Sequence, residues 1–378
     1  MKTDSINHGI KNALETTTMV SKKKLFSILC SHLADRFDLN QAGGGNGSAK
    51  EGDLMLIKAS GCLLSEVTEE TGYTEVVTEE VRHALQGYRD GILDETGAWQ
   101  RITAANRGKL RPSIETYLHA LLPATYVLHL HGAAALLYAS SPGFIESLTA
   151  QERGHFQRGR LLVDYAKPGI ALAVRMQDAL CAYKNFFGIE PSCLLLRNHG
   201  ILCAGEDTDT LFQSIEDISL ALAQEMSLPT ERFAPYRRQT ELKEALQRNF
   251  SGEPRCMLLC EDEEVNAYLR AGLPLATTPA FPDAVVYCGM SPVELASADD
   301  MSPILSYLRH YGELPKLFFY HNRLYAAGDS LKKCRETLEV FKIQAFLQSE
   351  LGDRMRPLTK GQAEELLSWE AEKYRRAQ

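Results

Sequence analysis

Residues 111–133 read RPSIETYLHALLPATYVLHLHGA, and the fold turns on how this stretch divides. Pro112-Ser113-Ile114-Glu115 opens a helix, the apolar positions from Tyr117 to Leu122 carry it to Pro123, and residues 126–130 then read as a strand. That strand runs into His129-Leu130-His131. Side chains alternate along a strand, so both imidazoles share one face. Two histidines so placed form a bidentate platform for a divalent cation. A third ligand must come from elsewhere, and Asn198-His199-Gly200, after the strand-like run 193–196, is the obvious donor. Three neutral histidines with an open fourth position are the ligand set of a catalytic zinc, not a structural one. Glu115, just upstream, is a carboxylate able to move protons beside that metal. A lone His-x-His is also common as strand packing, so the weight lies on the combination.

Composition narrows the class. The chain has 378 residues, room for one large or two ordinary domains, and is 44% hydrophobic and 24% charged, as in a globular protein. Its net charge of −8 offers no basic face for nucleic acid, so none is expected as a partner. A locally basic pocket for an anionic small molecule stays open. Nine cysteines, without framework spacing and mostly within apolar runs, read as reduced thiols of a cytoplasmic protein. Cys256 and Cys260 lack a second pair that would make them a metal site. The N-terminus has no apolar leader core, and no run reaches the ~20 apolar residues that span a bilayer, so no membrane association is expected.

Along the chain, residues 1–20 read as a flexible arm, and Ser21 caps a helix over 22–37. Residues 40–47 form a glycine-rich turn, either a plain connection or a cradle of backbone N–H groups for an anion, with Lys50 or Lys58 adding charge. Strands follow at 54–59 and 74–77, a helix that Thr78 or Glu79 starts and that runs through Val81 to Tyr88, and a loop over 90–109 whose basic end holds Arg107, Lys109 and Arg111. Past the histidines come a short helix, a polar segment at 149–157, a strand at 161–165, a long helix over 170–187, a hairpin over 193–203 and a helix capped by Thr208. Helices alternate with strands, so the fold class is α/β. Residues 229–254 read as a junction. A smaller α/β unit follows over 255–378, with strand-like runs at 256–259, 284–287 and 317–320 and helices over 262–271, 330–350 and 359–375.

Five short motifs occur in order: Gly45-Asn46-Gly47-Ser48, Ser60-Gly61, Ser113-Ile114-Glu115, His129-Leu130-His131 and Asn198-His199-Gly200. Their order and spacing resemble the class II aldolase/adducin family over about residues 22–226. PSIETYLHALLP and VDYAKPG are most similar to the aldolase part of bifunctional rhamnulose-phosphate aldolase/lactaldehyde dehydrogenases. The resemblance implies an α/β/α sandwich on a mixed or antiparallel sheet, over residues 21–240. It implies zinc, or manganese, cobalt or iron(II), on His129, His131 and His199, and Glu115 as the proton-transfer residue. Asn46, Gly47, Ser60, Gly61 and Ser113 would hold a substrate anion, and the chain would form a homo-oligomer, tetramer or dimer.

Two departures bear on that anion. Ile114 stands where sugar-phosphate aldolases carry a second hydroxyl, and Ala59 replaces a polar residue. The expected activity is retro-aldol cleavage of a ketose phosphate or related hydroxy-ketone through an enediolate. Sugar-phosphate 4-epimerisation, sugar-acid decarboxylation and a non-catalytic adducin-like scaffold are the alternatives. Finally, residues 194–205 (LLLRNHGILCAG) echo 317–328 (LFFYHNRLYAAG), so the C-terminal unit reads as a degenerate partial repeat without a metal.

Overall fold

The computed structural model describes residues 22–251, 253–275 and 278–375; the expected N-terminal arm and the Ser21 cap lie outside them. The chain divides into two units between Arg232 and Phe233.

The first unit opens with helix α1 (22–34) and the hairpin β1 (Asn46–Glu51) and β2 (Leu54–Lys58), followed by β3 (Tyr73–Val77). Helices α2 (Thr78–Arg89), α3 (Glu95–Ala105) and α4 (Thr116–Leu121) lead to β4 (Tyr126–Leu130). Next come α5 (Ala133–Ala139), α6 (Pro142–Glu152), β5 (Arg160–Val163), α7 (Ile170–Phe187), β6 (Cys193–Leu196), β7 (Gly200–Gly205) and α8 (Thr208–Glu225). The strands form one mixed sheet ordered β3-β2-β1-β4-β7-β6-β5, antiparallel throughout except for parallel β5–β6.

Helices cover both faces. On one, α2, α3, α4 and α7 share a core with Met55, Ile57, Val127 and Leu202. On the other lie α1, α5 and α8; Phe26 and Cys30 of α1 sit close over Gly47 and Leu128. A strand covered on both sides has no polar face to show, and all five residues of β4, His129 included, are buried.

Several local readings change. The 90–109 segment holds α3, because the Asp94 side chain accepts the Gly97 N–H and caps it. Asp207 rather than Thr208 caps α8, accepting from Thr210 N. Asn46-Gly47-Ser48 belongs to a strand, not to the preceding turn.

Behind the sheet, buried Arg36 donates from Nε and Nη2 to the two carboxylate oxygens of Asp38 (2.7 Å each) and from Nη1 to Glu216 of α8 (2.6 Å). The Asp38 carbonyl in turn accepts the Ala133 N–H at the start of α5. One guanidinium thus ties the end of α1 to α8 and to the backbone just after His131.

The second unit starts with α9 (Ala234–Asn249), inside the segment expected to be a junction. Leu242, Ala245 and Leu246 of α9 enter the C-terminal core, so residues 234–240 belong to this unit rather than to the first domain. It continues with β8 (Cys256–Leu259), α10 (Glu263–Arg270), α11 (Pro282–Cys288), β9 (Val293–Leu295), α12 (Ser302–Tyr311), β10 (Leu317–Tyr320), β11 (Arg323–Gly328), α13 (Leu331–Leu351) and α14 (Lys360–Arg375). The run 284–287, expected as a strand, is helical: Pro282 fills the first helical turn, where its missing N–H costs nothing. The sheet is ordered β8-β11-β10-β9, with β9–β10 parallel.

Buried side-chain amides close two outer strands. Gln151 of α6 exchanges both hydrogen bonds with Leu162 of β5 (2.7 and 2.9 Å). Gln239 of α9 accepts from Leu259 N and donates to Met257 O on β8 (2.9 Å each).

Removing one partner of a buried ion pair strands the other charge. Arg36→Ala is expected to cost about 3–5 kcal/mol in urea unfolding of the whole chain, whereas Arg82→Ala, in an exposed pair, shifts it by about 1 kcal/mol or less.

Candidate metal centre

His129 is held on two sides. Its Cα faces Asn46 across β1 and Leu202 across β7, and the side chain is fully buried. His131 follows directly after β4. Gly44 passes over its ring; a Cβ at Gly44 would lie 2.7 Å from His131 Nδ1. His199 comes from the β6–β7 turn, whose shape is set by its neighbours. Asn198 takes a left-handed φ of 55°, its N–H bonds Ala139 O, and a Cβ on Gly200 would lie 2.3 Å from Leu130 O. The Asn-His-Gly order is therefore what lets this turn press against the end of β4.

The three rings converge. His129 Nε2 and His131 Nε2 are 3.1 Å apart, and the ring centroids of the trio lie 4.8–5.5 Å from one another. Zn–N bonds of about 2.0–2.1 Å set tetrahedral ligand atoms roughly 3.3–3.4 Å apart, so the His129–His131 spacing fits such an ion, and the ligand atoms of all three lie within 4.8 Å of one another. Among the described residues this is the one His/Cys/Asp/Glu group with ligand atoms gathered to hold a metal. Burial pushes the His129 pKa down to about 3, against the pull of Glu115, and lowers that of His131. Both rings are therefore neutral at pH 7, with lone pairs to offer.

Glu115 stands at the N-terminal end of α4, and its side chain reaches the same point. Its Oε1 is 3.0 Å from His199 Nε2 and 3.9 Å from His129 Nε2. Burial works to raise its pKa, but His129, His199 and His119 outweigh it and hold the carboxyl below the usual range. The carboxylate is therefore ionised here.

The anion set is brought together in part. Asn46 Nδ2 donates to Ser113 Oγ (2.6 Å), which also accepts the Glu115 N–H (3.2 Å). Gly47 N bonds the Asn46 side-chain oxygen. Ser60 N is taken by Arg111 O, which sets the exposed Ser60-Gly61 turn beside the 111–113 segment. Lys58 is buried and donates to Cys62 O (2.6 Å), bracing that turn, whereas Lys50 donates to Leu122 O and Ala124 O. The Arg111 guanidinium stacks over Trp99 instead.

His119 was missed from sequence. It is fully buried, one helical turn after Glu115, with Nδ1 2.8 Å from Ser48 Oγ. Its spacing from Glu115 puts both on one face of α4, which is the signal that could have found it.

A profile of the Class II Aldolase and Adducin N-terminal domain matches residues 27–226, more than half of the chain. The chain belongs to the class II aldolase/adducin family. Class II aldolase relatives include aldolases, epimerases and decarboxylases and are generally dependent on a divalent metal. Among solved structures, the N-terminal class II aldolase domain of a conserved Thermoplasma acidophilum protein is 22% identical, covering 53% of this chain and 92% of that one, with a TM-score of 0.42. YgbL from Escherichia coli, described as a putative aldolase/epimerase/decarboxylase, is 16% identical over 58% of this chain and 99% of that one (TM-score 0.40). L-fuculose-1-phosphate aldolase from Thermus thermophilus is 19% identical over 53% and 91% (TM-score 0.33). Among curated proteins none matches. No described helix is long and apolar enough to cross a membrane.

The buried neutral state of His129 sets an acid dependence. In the unfolded chain an imidazole titrates near 6.5; folded, His129 takes its proton only near 3. Between those values the unfolded state binds more protons, so stability is full above pH 6.5 and falls as the pH drops toward 3. Denaturation of metal-free protein across that range is expected to show this loss, and His129→Leu to flatten it.

Proposed function

We propose that this class II aldolase-family chain is a metal-dependent aldehyde-lyase that cleaves a hydroxy-ketone, of ketose-phosphate type, by retro-aldol chemistry. The observation that carries the reading is the convergence of three imidazoles with an ionised carboxylate 3.0 Å from one of them. His129, His131 and His199 would hold the ion, zinc or a similar divalent metal, and a fourth position would be left for substrate. A divalent cation there supplies Lewis-acid stabilisation to the negative charge that develops on a ketone as its neighbouring carbon–carbon bond breaks.

The chain's own groups do the rest. Glu115, ionised and acceptor-only, takes the proton from the hydroxyl on the carbon that leaves as aldehyde. The bonding pair of the broken bond passes to the ketone fragment, and Glu115 returns the proton to its carbon. Leaving the histidines on substrate entry would raise its basicity, because burial alone pushes its pKa upward. Asn46 and Ser113, joined by a hydrogen bond and next to Glu115, would orient the far, anionic end of the substrate. The free cysteines agree with a reducing, cytoplasmic setting, and assembly into a homo-oligomer is part of the same proposal.

Elemental analysis of purified protein is expected to find about one zinc, or a comparable divalent metal, per chain, lost in His129→Ala/His131→Ala. Aldehyde release from a panel of ketose phosphates should then fall about 10²–10⁴-fold in Glu115→Gln with metal retained. Epimerised product without free aldehyde would move the reading to an epimerase, and carbon dioxide release to a decarboxylase. A wild-type chain that neither contains nor takes up metal would leave the fold as a scaffold.

A further inference from the structure

Two buried ring nitrogens near the centre have no hydrogen-bond partner: Nε2 of His119 and Nδ1 of His129. They lie in one layer. Across β1–β4, Asn46 faces His129 and Ser48 faces Val127, so Asn46, Ser48 and His129 point to the same side of the sheet. That is the side α4 covers, where His119 meets Ser48. Buried polar atoms seldom go unsatisfied, and internal water is the common way proteins satisfy them.

We propose that one buried water joins His119 Nε2 to His129 Nδ1, so that Ser48, His119 and the water fix the tautomer of His129 and aim its Nε2 at the metal. His119 is then a positioning residue, and the inference rests on the metal reading above. Ligating histidines normally anchor their second nitrogen, and loss of that anchor typically weakens metal binding 10–100-fold.

The test is Zn²⁺ titration of metal-free protein against a chromophoric chelator, for wild type, His119→Gln and His119→Phe, with unfolding curves to confirm that each variant folds. The expected result is 10–100-fold weaker Zn²⁺ binding in His119→Phe, a smaller loss in His119→Gln, and water density about 3 Å from both nitrogens in a wild-type crystal structure. Wild-type protein that binds Zn²⁺ with either no change in His119→Phe or a dry gap overturns the relay and leaves the metal reading standing. Wild-type protein that binds no Zn²⁺ overturns both.

A second inference rests on strand pairing. The order β4, α5, α6, β5, α7, β6, β7, α8 recurs as β8, α10, α11, β9, α12, β10, β11, α13. The sheet neighbours recur with it: β4–β7 and β7–β6 antiparallel and β6–β5 parallel, against β8–β11 and β11–β10 antiparallel and β10–β9 parallel. So does the register. Tyr126 faces Gly205 as Cys256 faces Gly328, and Val163 faces Leu196 as Leu295 faces Tyr320. Helix α10 packs on α13 as α5 packs on α8. The difference is in the hairpin. Leu196 faces Gly200 across three residues, whereas Tyr320 faces Arg323 across two.

We infer that the C-terminal unit is a copy of the metal-bearing half whose ligand set is gone. Counting from Tyr126 and Cys256, His129 corresponds to Leu259 and His131 to Glu261. The shortened turn removes the place of His199. Gln239 occupies the side of β8 where β1 would pair. Strands β8–β11 of an experimental structure are expected to superpose on β4–β7 within about 2 Å on these residue pairs, spacings that a shared register implies. Zn²⁺ titration should find no second equivalent, with or without His129→Ala. Helices on opposite faces after superposition, or a second equivalent that survives His129→Ala, would overturn the inference.

Discussion

The antiparallel pairing of β1 with β4 is the constraint on which the centre depends. It closes one edge of β4 and β7 closes the other, and with helices over both faces His129 is removed from water. Removal from water keeps the imidazole neutral, and only a neutral imidazole can donate a lone pair. The same pairing sets Asn46 opposite His129 and delivers it to Ser113, which in turn accepts the N–H of Glu115. One strand register therefore places the candidate ligand His129, the Asn46 amide beside it and, at one remove, the Glu115 carboxylate.

The electrostatics of that arrangement run in two directions. Burial favours neutral imidazoles and a neutral carboxyl. Proximity favours an ionised carboxylate beside a histidine, and for Glu115 proximity wins. A divalent ion would strengthen the same bias, since a cation among the imidazoles draws a carboxylate toward its charged form. In the proposed reaction, basicity at Glu115 would come from separating the carboxylate from that charge, which is work that a substrate entering between them can do.

The candidate centre was more legible in the sequence than the scaffold. His129, His131, His199 and Glu115 are chemically rare residues in a fixed order, and their spacing on strands and turns is a local property. Strand β1 was hidden because NGSAKE reads as polar, although five of its six positions are buried under α1 and α4. Helix α3 was hidden by Gly97 near its start, and α9 by its charged residues and Pro235. The Val285-Val286 run passed for a strand because a short apolar run has no period to distinguish it from a buried helix. His119 escaped because a histidine inside an apolar helix looks like packing until the strand beneath it is known. The echo between the two hairpins was visible as letters, but the pairings beyond it depend on contacts distant in sequence.

The outer strands carry a further consequence. A sheet edge is a row of unspent peptide groups, ready to zip to any strand that comes near. Here β5 and β8 each have that row capped by a buried glutamine amide, and the backbone of Asn106 and Arg107 bonds along β3. Copies of this chain that meet at these edges find no peptide groups left to share at the capped positions. Growth by strand addition is blocked there, and at those edges association is left to helices and loops, whose side chains can be selective about what they accept.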